Sequence, residues 1–325
     1  MIGSQFLPVL AIDLGGTKIR TALISNKGKI MAKEYSLTLA SEGLEAMMGR
    51  MLSGIDRLLS LKNLAPFQLH GMSIAAAGAI DSEKGLVTSS PNLPGWHDVP
   101  VRDIVRSKYK VDPFLINDAS AAALGEHEFG AGKGVNNLIY LTVGTGIGGG
   151  IIIDGKLYCG VSGSAGEIGH MTIDVNGTRC NCGNTGCLEI LASGTAMAKE
   201  ATRRIKQGEG SSLTKIVEGK IENITAETVE FAARGGDYLA LEVISKAATY
   251  LGVGMVNLAN IFNPEMIIVG GGVAKMGELL LEPARRVVQE RAFKLPAKAV
   301  RIVPAQLGDD SGLVGAAVFA FQQKI

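Results

Sequence analysis

The sequence predicts an α/β protein made of two related units, on three observations. A strand, a glycine turn, a second strand, a turn and a third strand occupy residues 9–36, and the same order returns over residues 138–159. The 43 glycines are not spread evenly: they stand in blocks directly behind apolar runs, where backbone must approach a ligand or another segment closely. Finally, 325 residues exceed what one core comfortably fills, so two domains with a cleft between the repeated halves are expected.

In chain order, Val9 to Asp13 is a short apolar run ending in an acid, with the Gly15-Gly16 turn behind it. Ile19 to Ser25 is the next strand, Asn26-Lys27-Gly28 a turn, and Lys29 to Ser36 the third strand. Ser41 to Leu61 is a helix, because Leu44, Met47, Met51, Ile55 and Leu58 recur at helical spacing. Pro113 to Ile116 is apolar and leads through Asn117-Asp118 into the Ala-rich helix Ala119 to Leu124. Leu138 to Val143 opens the second meander, Gly144 to Gly150 is its glycine turn, Ile151 to Asp154 its next strand, and Asp154-Gly155 a hairpin signal into Lys156 to Cys159. The last third is mostly helical. A long helix from about Tyr238 to Ile261 is stopped by Asn263-Pro264, and Met266 to Val269 is a strand before the Gly270 to Gly272 loop. A helix then runs to about Phe293, and a final one covers Asp309 to Gln323.

The bulk properties exclude several classes. A net charge of +1 creates no field that would gather nucleic acid or an anionic membrane. No run of about 18 apolar residues stands out as a transmembrane helix, and the start lacks the basic region of a signal peptide. Four cysteines, three of them clustered, are no disulfide framework for a chain this long; they point to a metal or catalytic cluster in a reducing cytoplasm.

Three glycine clusters follow strands, and backbone N–H groups freed of side chains can surround phosphate oxygens. Gly144, Gly146 and Gly149 match the dinucleotide fingerprint, but that fingerprint requires a helix next, and Ile151-Ile152-Ile153 follows instead. A Walker A loop does not occur. In Asp13-Leu-Gly-Gly-Thr-Lys18 the turn and Thr17 can face phosphates with Asp13 toward Mg²⁺ or its water shell; a hairpin with a polar edge would use the same residues. Asp118, at a strand-to-helix junction, is either an N-cap or a general base for a substrate hydroxyl. The strongest signal is His170, Cys180, Cys182 and Cys187, spaced H-x9-C-x-C-x4-C with Gly183 and Gly186 for sharp turns. Four N/S ligands suit tetrahedral Zn²⁺ in a closed structural site. The single residue between Cys180 and Cys182 does not fit a redox C-x-x-C pair.

Together these segments resemble the ROK family of sugar kinases and repressors, within the actin-like ATPase superfamily. The residues that carry the resemblance are Asp13 to Lys18, Asn117-Asp118, Thr142 to Gly146, Glu167 to His170, the CNCGNTGCLE segment from Cys180 to Glu189, and Val269 to Gly272, in the family's order. The resemblance implies two actin-like (ribonuclease H-like) α/β domains with ATP and a hexose in the cleft between them. The expected division is a small domain over residues 1–116, onto which a helix of about 301–325 packs back, and a large domain over 117–300 with the zinc segment. By the same resemblance Asp118 is the catalytic base, and Asn117, Glu167, His170 and Glu189 contact the sugar, with Gly78 in the sugar-facing loop and Asn92 a further contact. Asp13, Gly15, Gly16, Thr17, Lys18, Thr145, Gly146, Gly270, Gly271 and Gly272 would face Mg·ATP, and His170 would join the zinc to the substrate. The expected reaction is ATP-dependent phosphorylation of a hexose 6-hydroxyl, glucose first, by a cytoplasmic homodimer of carbohydrate metabolism. Kinases for N-acetylmannosamine, N-acetylglucosamine, fructose or allose share the same site residues. A sugar-responsive repressor is the other branch, but only 12 residues precede Asp13, so a DNA-reading helix-turn-helix is not expected. An actin- or chaperone-like ATPase without a sugar is disfavoured by the zinc segment.

Overall fold

The computed structural model describes residues 7–90, 93 and 95–323. The first meander is β1 (Val9–Leu14), β2 (Lys18–Ile24) and β3 (Ile30–Leu37). β1 is buried along its whole length, whereas β3 alternates half-buried and exposed residues, as an edge strand with one solvated face does. α1 (Leu44–Leu61) starts behind Gly43, three residues later than its apolar spacing implies, and buries Met47, Met51, Ile55 and Leu58. β4 (Gly71–Ala76) follows, then a small antiparallel sheet of β5 (Ala79–Asp81), β6 (Leu86–Ser89) and β7 (His97–Val99). α2 (Val101–Tyr109) and β8 (Pro113–Asn117) lead into α3 (Asp118–Phe129).

The second meander is β9 (Leu138–Val143), β10 (Ile147–Ile153) and β11 (Lys156–Leu157). Its glycine turn is shorter than expected. Only Gly144 to Gly146 turn, and Gly148 to Gly150 lie inside β10. The reason is close packing: a Cβ on Gly150 would meet the Ala119 carbonyl at 2.7 Å and the Ala123 methyl at 2.6 Å. Then come α4 (Leu188–Ala192), α5 (Gly194–Lys206), α6 (Leu213–Ile216), α7 (Ala226–Arg234) and α8 (Tyr238–Phe262). After β12 (Met266–Gly270) a 3₁₀ turn covers Val273–Met276, and α9 (Glu278–Arg291) begins only past Gly277, whose φ of 63° interrupts the expected continuous helix. α10 (Lys294–Ala299), β13 (Arg301–Pro304) and α11 (Ser311–Gln322) complete the chain.

The two main sheets have the same topology. One runs β3-β2-β1-β4-β8 and the other β11-β10-β9-β12-β13. In the first, β2 is antiparallel to β1 and to β3, while β4 is parallel to β1 and to β8. In the second, β12 runs parallel to β9 and to β13. A three-strand meander extended by two parallel strands therefore occurs twice.

Packing divides the chain into two units, Met1–Gly134 with Gly150–Gly166 and Gln306–Ile325, and Val135–Gly149 with Glu167–Ala305. In the first unit α3 packs on α11, and α11 on β1 and β4, which is why both helices group with the N-terminal strands. Its core includes Leu10, Ile12, Leu23, Met47, Met72, Ile74 and Trp96. In the second unit the 25-residue α8 is long and apolar enough to cross a membrane by length and composition. It packs against α4, α5, α7 and α9, and Ala248, Leu251 and Met255 are fully buried, so it serves as that unit's core helix.

Candidate active site

Parallel strands end their buried hydrogen bonding at a common carboxyl edge, where loops with free N–H groups and short polar side chains can gather. In the first unit β1, β4 and β8 share such an edge: Asp13 is in register with Ala75, and Ala75 with Ile116. Leu14 is in turn level with Ala76 and Asn117, so Asp13 stands one residue before the carboxyl edge at which Asn117 ends β8. Asp13 is buried, accepts from Arg20 Nη1 at 3.0 Å, and lies against Gly312 at the start of α11. Burial pushes its carboxyl above the usual carboxylate range, Arg20 opposes this, and Asp310 and Asp309 add to it. The following turn is fixed by Thr38, whose Oγ1 donates to the Gly15 carbonyl at 2.7 Å and whose N–H donates to the Thr17 carbonyl at 2.8 Å. Thr17 and Lys18 are exposed beside it.

At β8 the alternatives for Asn117-Asp118 separate. Asn117 caps α3: its Oδ1 accepts from Ala119 N at 3.0 Å and Ser120 N at 3.1 Å. Its Nδ2 donates to the Gly78 carbonyl at 3.2 Å, which ties the β4 loop to the head of α3. Gly78 has φ 107° and its Cα faces the Ser89 carbonyl, so no side chain fits there. Asp118 is the first helical residue, half-buried, with Oδ1 accepting from Ala119 N at 2.8 Å. Asn92 lies outside the described residues.

In the second unit, His170, Cys180, Cys182 and Cys187 converge, with all ligand atoms within 4.8 Å of one another. Cys182 Sγ is 3.7 Å from Cys187 Sγ, and His170 Nδ1 is 3.9 Å from Cys180 Sγ. The loop is shaped by Ile173 N donating to Gly186 O at 2.7 Å and Cys180 N donating to Asn184 O at 2.7 Å. Among the sulfurs alone, burial and the two neighbouring thiols push Cys187 up to about 12, whereas a backbone donor at Asn184 lowers Cys182. A divalent cation is what would hold all three as thiolates, and one imidazole with three sulfurs is the donor set of Zn²⁺. His170 turns its other nitrogen, Nε2, toward Glu167 Oε2 at 3.8 Å.

Glu189, expected beside the sugar-facing set, has a partner of a different kind. Its Oε2 accepts from Ile147 N at 2.9 Å, directly behind the Gly144–Gly146 turn. The same turn is held by Gly194 N donating to Gly144 O at 2.7 Å and Thr195 Oγ1 donating to Thr145 O at 2.8 Å. Thr142 is in register with Gly270, so this turn and the Gly270 to Gly272 loop share the carboxyl edge of the second sheet.

Beside that edge lies a cavity of about 920 Å³ lined by Gly144, Thr145, Gly272 and Val273, by α5 residues including Thr195, Lys199 and Thr202, and by Ile224, Thr225 and Glu227 near the start of α7. Sequence reasoning missed the α5 and α7 contributions. The available signals were the helix starts Ser193-Gly194-Thr195 and Thr225, since Ser193 caps α5 and Thr225 caps α7. Thr38 was missed as well; nothing local marks a threonine that anchors a turn 23 residues earlier.

The ROK family model matches residues 9–323. The chain is 38% identical to a glucokinase of Halalkalibacterium halodurans, over 97% of this chain and 95% of that one. A xylose repressor of Caldicellulosiruptor bescii is 36% identical over 94% of this chain and 76% of its own length. A crystal structure of a ROK family glucokinase from Streptomyces griseus, in complex with glucose and AMPPNP, matches with a TM-score of 0.87 at 34% identity, covering 97% of this chain and 100% of that one. A family model matched across nearly the whole length, with relatives alike in sequence and in fold, means that this chain belongs to the ROK family.

Proposed function

We propose that this protein transfers the γ-phosphoryl group of ATP to the 6-hydroxyl of a hexose, with glucose the preferred substrate. The observation that carries the reading is the match, over nearly the whole of both chains, to a glucokinase holding glucose and an ATP analogue. The local geometry supports it. Asp118 stands half-buried at the head of α3, beside Asn117, whose amide caps the helix and is tied to the Gly78 loop.

In this reading Asp118 accepts the 6-hydroxyl proton as that oxygen forms its bond to the γ-phosphorus and the bond to the ADP oxygen breaks. Asn117 and Gly78 hold the sugar, joined by Asn92, Glu167, His170 and Glu189. Gly15, Gly16, Thr17, Lys18, Thr145, Gly146 and Gly270 to Gly272 present backbone and polar groups to the nucleotide, and Asp13 would face Mg²⁺ or its water shell. Mg²⁺ supplies charge neutralisation on the phosphates, and Zn²⁺ on His170, Cys180, Cys182 and Cys187 fixes the loop. The enzyme acts as a cytoplasmic homodimer at the entry to glycolysis, with no nucleic-acid or membrane partner; the net charge of +1 supports the last point.

A coupled ADP-release assay across glucose, fructose, mannose, N-acetylmannosamine and N-acetylglucosamine tests this, with fastest turnover expected on glucose. No turnover on any of them would sink the kinase reading. Asp118→Asn should keep glucose binding and lose about 10²–10⁴-fold in kcat. The likeness to the xylose repressor favours one second reading, a sugar-binding regulator; wild-type protein that binds sugar without turning it over would select it.

A further inference from the structure

We infer that Glu189 is a positioning residue for the nucleotide: it fixes the Gly144–Gly146 turn and couples that turn to the cysteine loop. The inference rests on the kinase reading for its ligand, and its physical basis is a short chain of contacts inside the second unit. Cys187 is at once a member of the four-residue cluster and the N-cap position of α4. Two residues on, Glu189 reaches back so that Oε2 accepts the N–H of Ile147 at 2.9 Å. The fit is tight, because a Cβ on Gly146 would run into that same carboxylate oxygen. A charge-assisted hydrogen bond to the first residue of β10 holds the turn in one conformation before any ligand arrives. The turn's far side is already pinned by Gly194 N and Thr195 Oγ1, so the Glu189 contact closes the remaining side. Leu188 N donating to Met171 O at 2.9 Å ties the same short helix to the segment just after His170. A shift in the cysteine loop is thereby transmitted to Ile147.

The probe is Mg·AMPPNP binding by calorimetry without sugar, together with amide hydrogen exchange of the peptide spanning Gly144 to Ile147. Glu189→Ala should weaken AMPPNP binding about tenfold, the scale of one charged hydrogen bond, and speed exchange at Ile147. Glu189→Gln, whose amide oxygen can accept the same N–H, should stay within about threefold of wild type. Cys182→Ser, at the exposed ligand position, should lower bound zinc and weaken AMPPNP in the same direction as Glu189→Ala. AMPPNP affinity unchanged in Glu189→Ala, with the glucose KM alone raised, would make Glu189 purely a sugar contact and overturn the inference. Unchanged affinity in a zinc-depleted Cys182→Ser would overturn the coupling. A wild type that binds AMPPNP but phosphorylates no hexose would remove the kinase reading and leave the positioning role to be judged on the same two readouts.

Discussion

Asp13 keeps a carboxylate where burial and two further acids oppose its charge. Its accessible surface is down to 9%, Asp310 and Asp309 add repulsion, and Arg20 at 3.0 Å opposes them. A carboxyl whose folded-state pKa is raised binds its proton more tightly in the folded chain than in the unfolded one. Its contribution to stability is therefore full below the ordinary carboxylate pKa of about 4 and is lost as pH rises through the raised value. Asp13→Asn should flatten the fall in stability that sets in as pH rises above about 4, read from denaturant midpoints over a pH series. A slope equal to that of wild type would mean that Arg20 fully offsets the burial. The same variant should lose at least about tenfold in turnover, because the group proposed to face Mg²⁺ is gone. A stability gain joined to a loss of activity is the mark of a residue kept for chemistry.

At the scale of the element, α3 carries Asp118 at its head and is fixed at both ends by contacts that propensity does not reveal. Near its tail Glu126 is fully buried, and its carboxylate accepts from Ala131 N, Gln306 N, Leu307 N and Ser311 Oγ at 2.8–3.0 Å. Four donors around one carboxylate satisfy the buried charge and anchor α11 to α3. Glu126→Ala would strand those donors, so a loss of about 3 kcal/mol or more is expected in chemical unfolding. Glu126→Gln, which keeps one acceptor oxygen and turns the other into a donor facing two donors, should fall between. Near the head of α3, β10 passes so closely at Gly150 that any side chain must push the helix away. Gly150→Val is expected to lower stability by about 1–3 kcal/mol and to reduce kcat through displacement of Asp118. Sequence alone read Gly148 to Gly150 as turn because a glycine needed for close approach and one needed for a turn look identical along the chain. What distinguishes them is the surface of α3, folded from residues some 30 positions away.

At the scale of the molecule, the repeated order of strands was legible because each meander carries its own local signals: apolar runs, acids at strand ends and glycine or Asp-Gly turns. The convergence of His170 with the three cysteines was legible for a related reason, since ligand spacing and turn glycines lie within 18 residues. The cavity wall was not. Lys199, Thr202 and Glu227 sit on faces of α5 and α7 that, read along the helix, are indistinguishable from solvent-facing ones. The cysteine loop also differs from the rest of the molecule in what holds it. Between Met171 and Cys187 the chain forms only two isolated bridges, Thr172 with Cys187 and Arg179 with Thr185, and no helix or strand. Its buried side chains are few, so little apolar burial offsets the entropy of ordering it. A cation bound by four side chains would close those loops at once and contribute folding energy directly. Chelation of metal from the full chain should therefore lower the thermal midpoint by several degrees for a loss of about 1–2 kcal/mol in a chain of this size. Amide exchange should rise first across residues 167–190 and along α4, while β1, β2 and β4 keep their protection. Uniform loss of protection across both sheets would show that the loop is no separate local element and that the metal stabilises the fold as a whole.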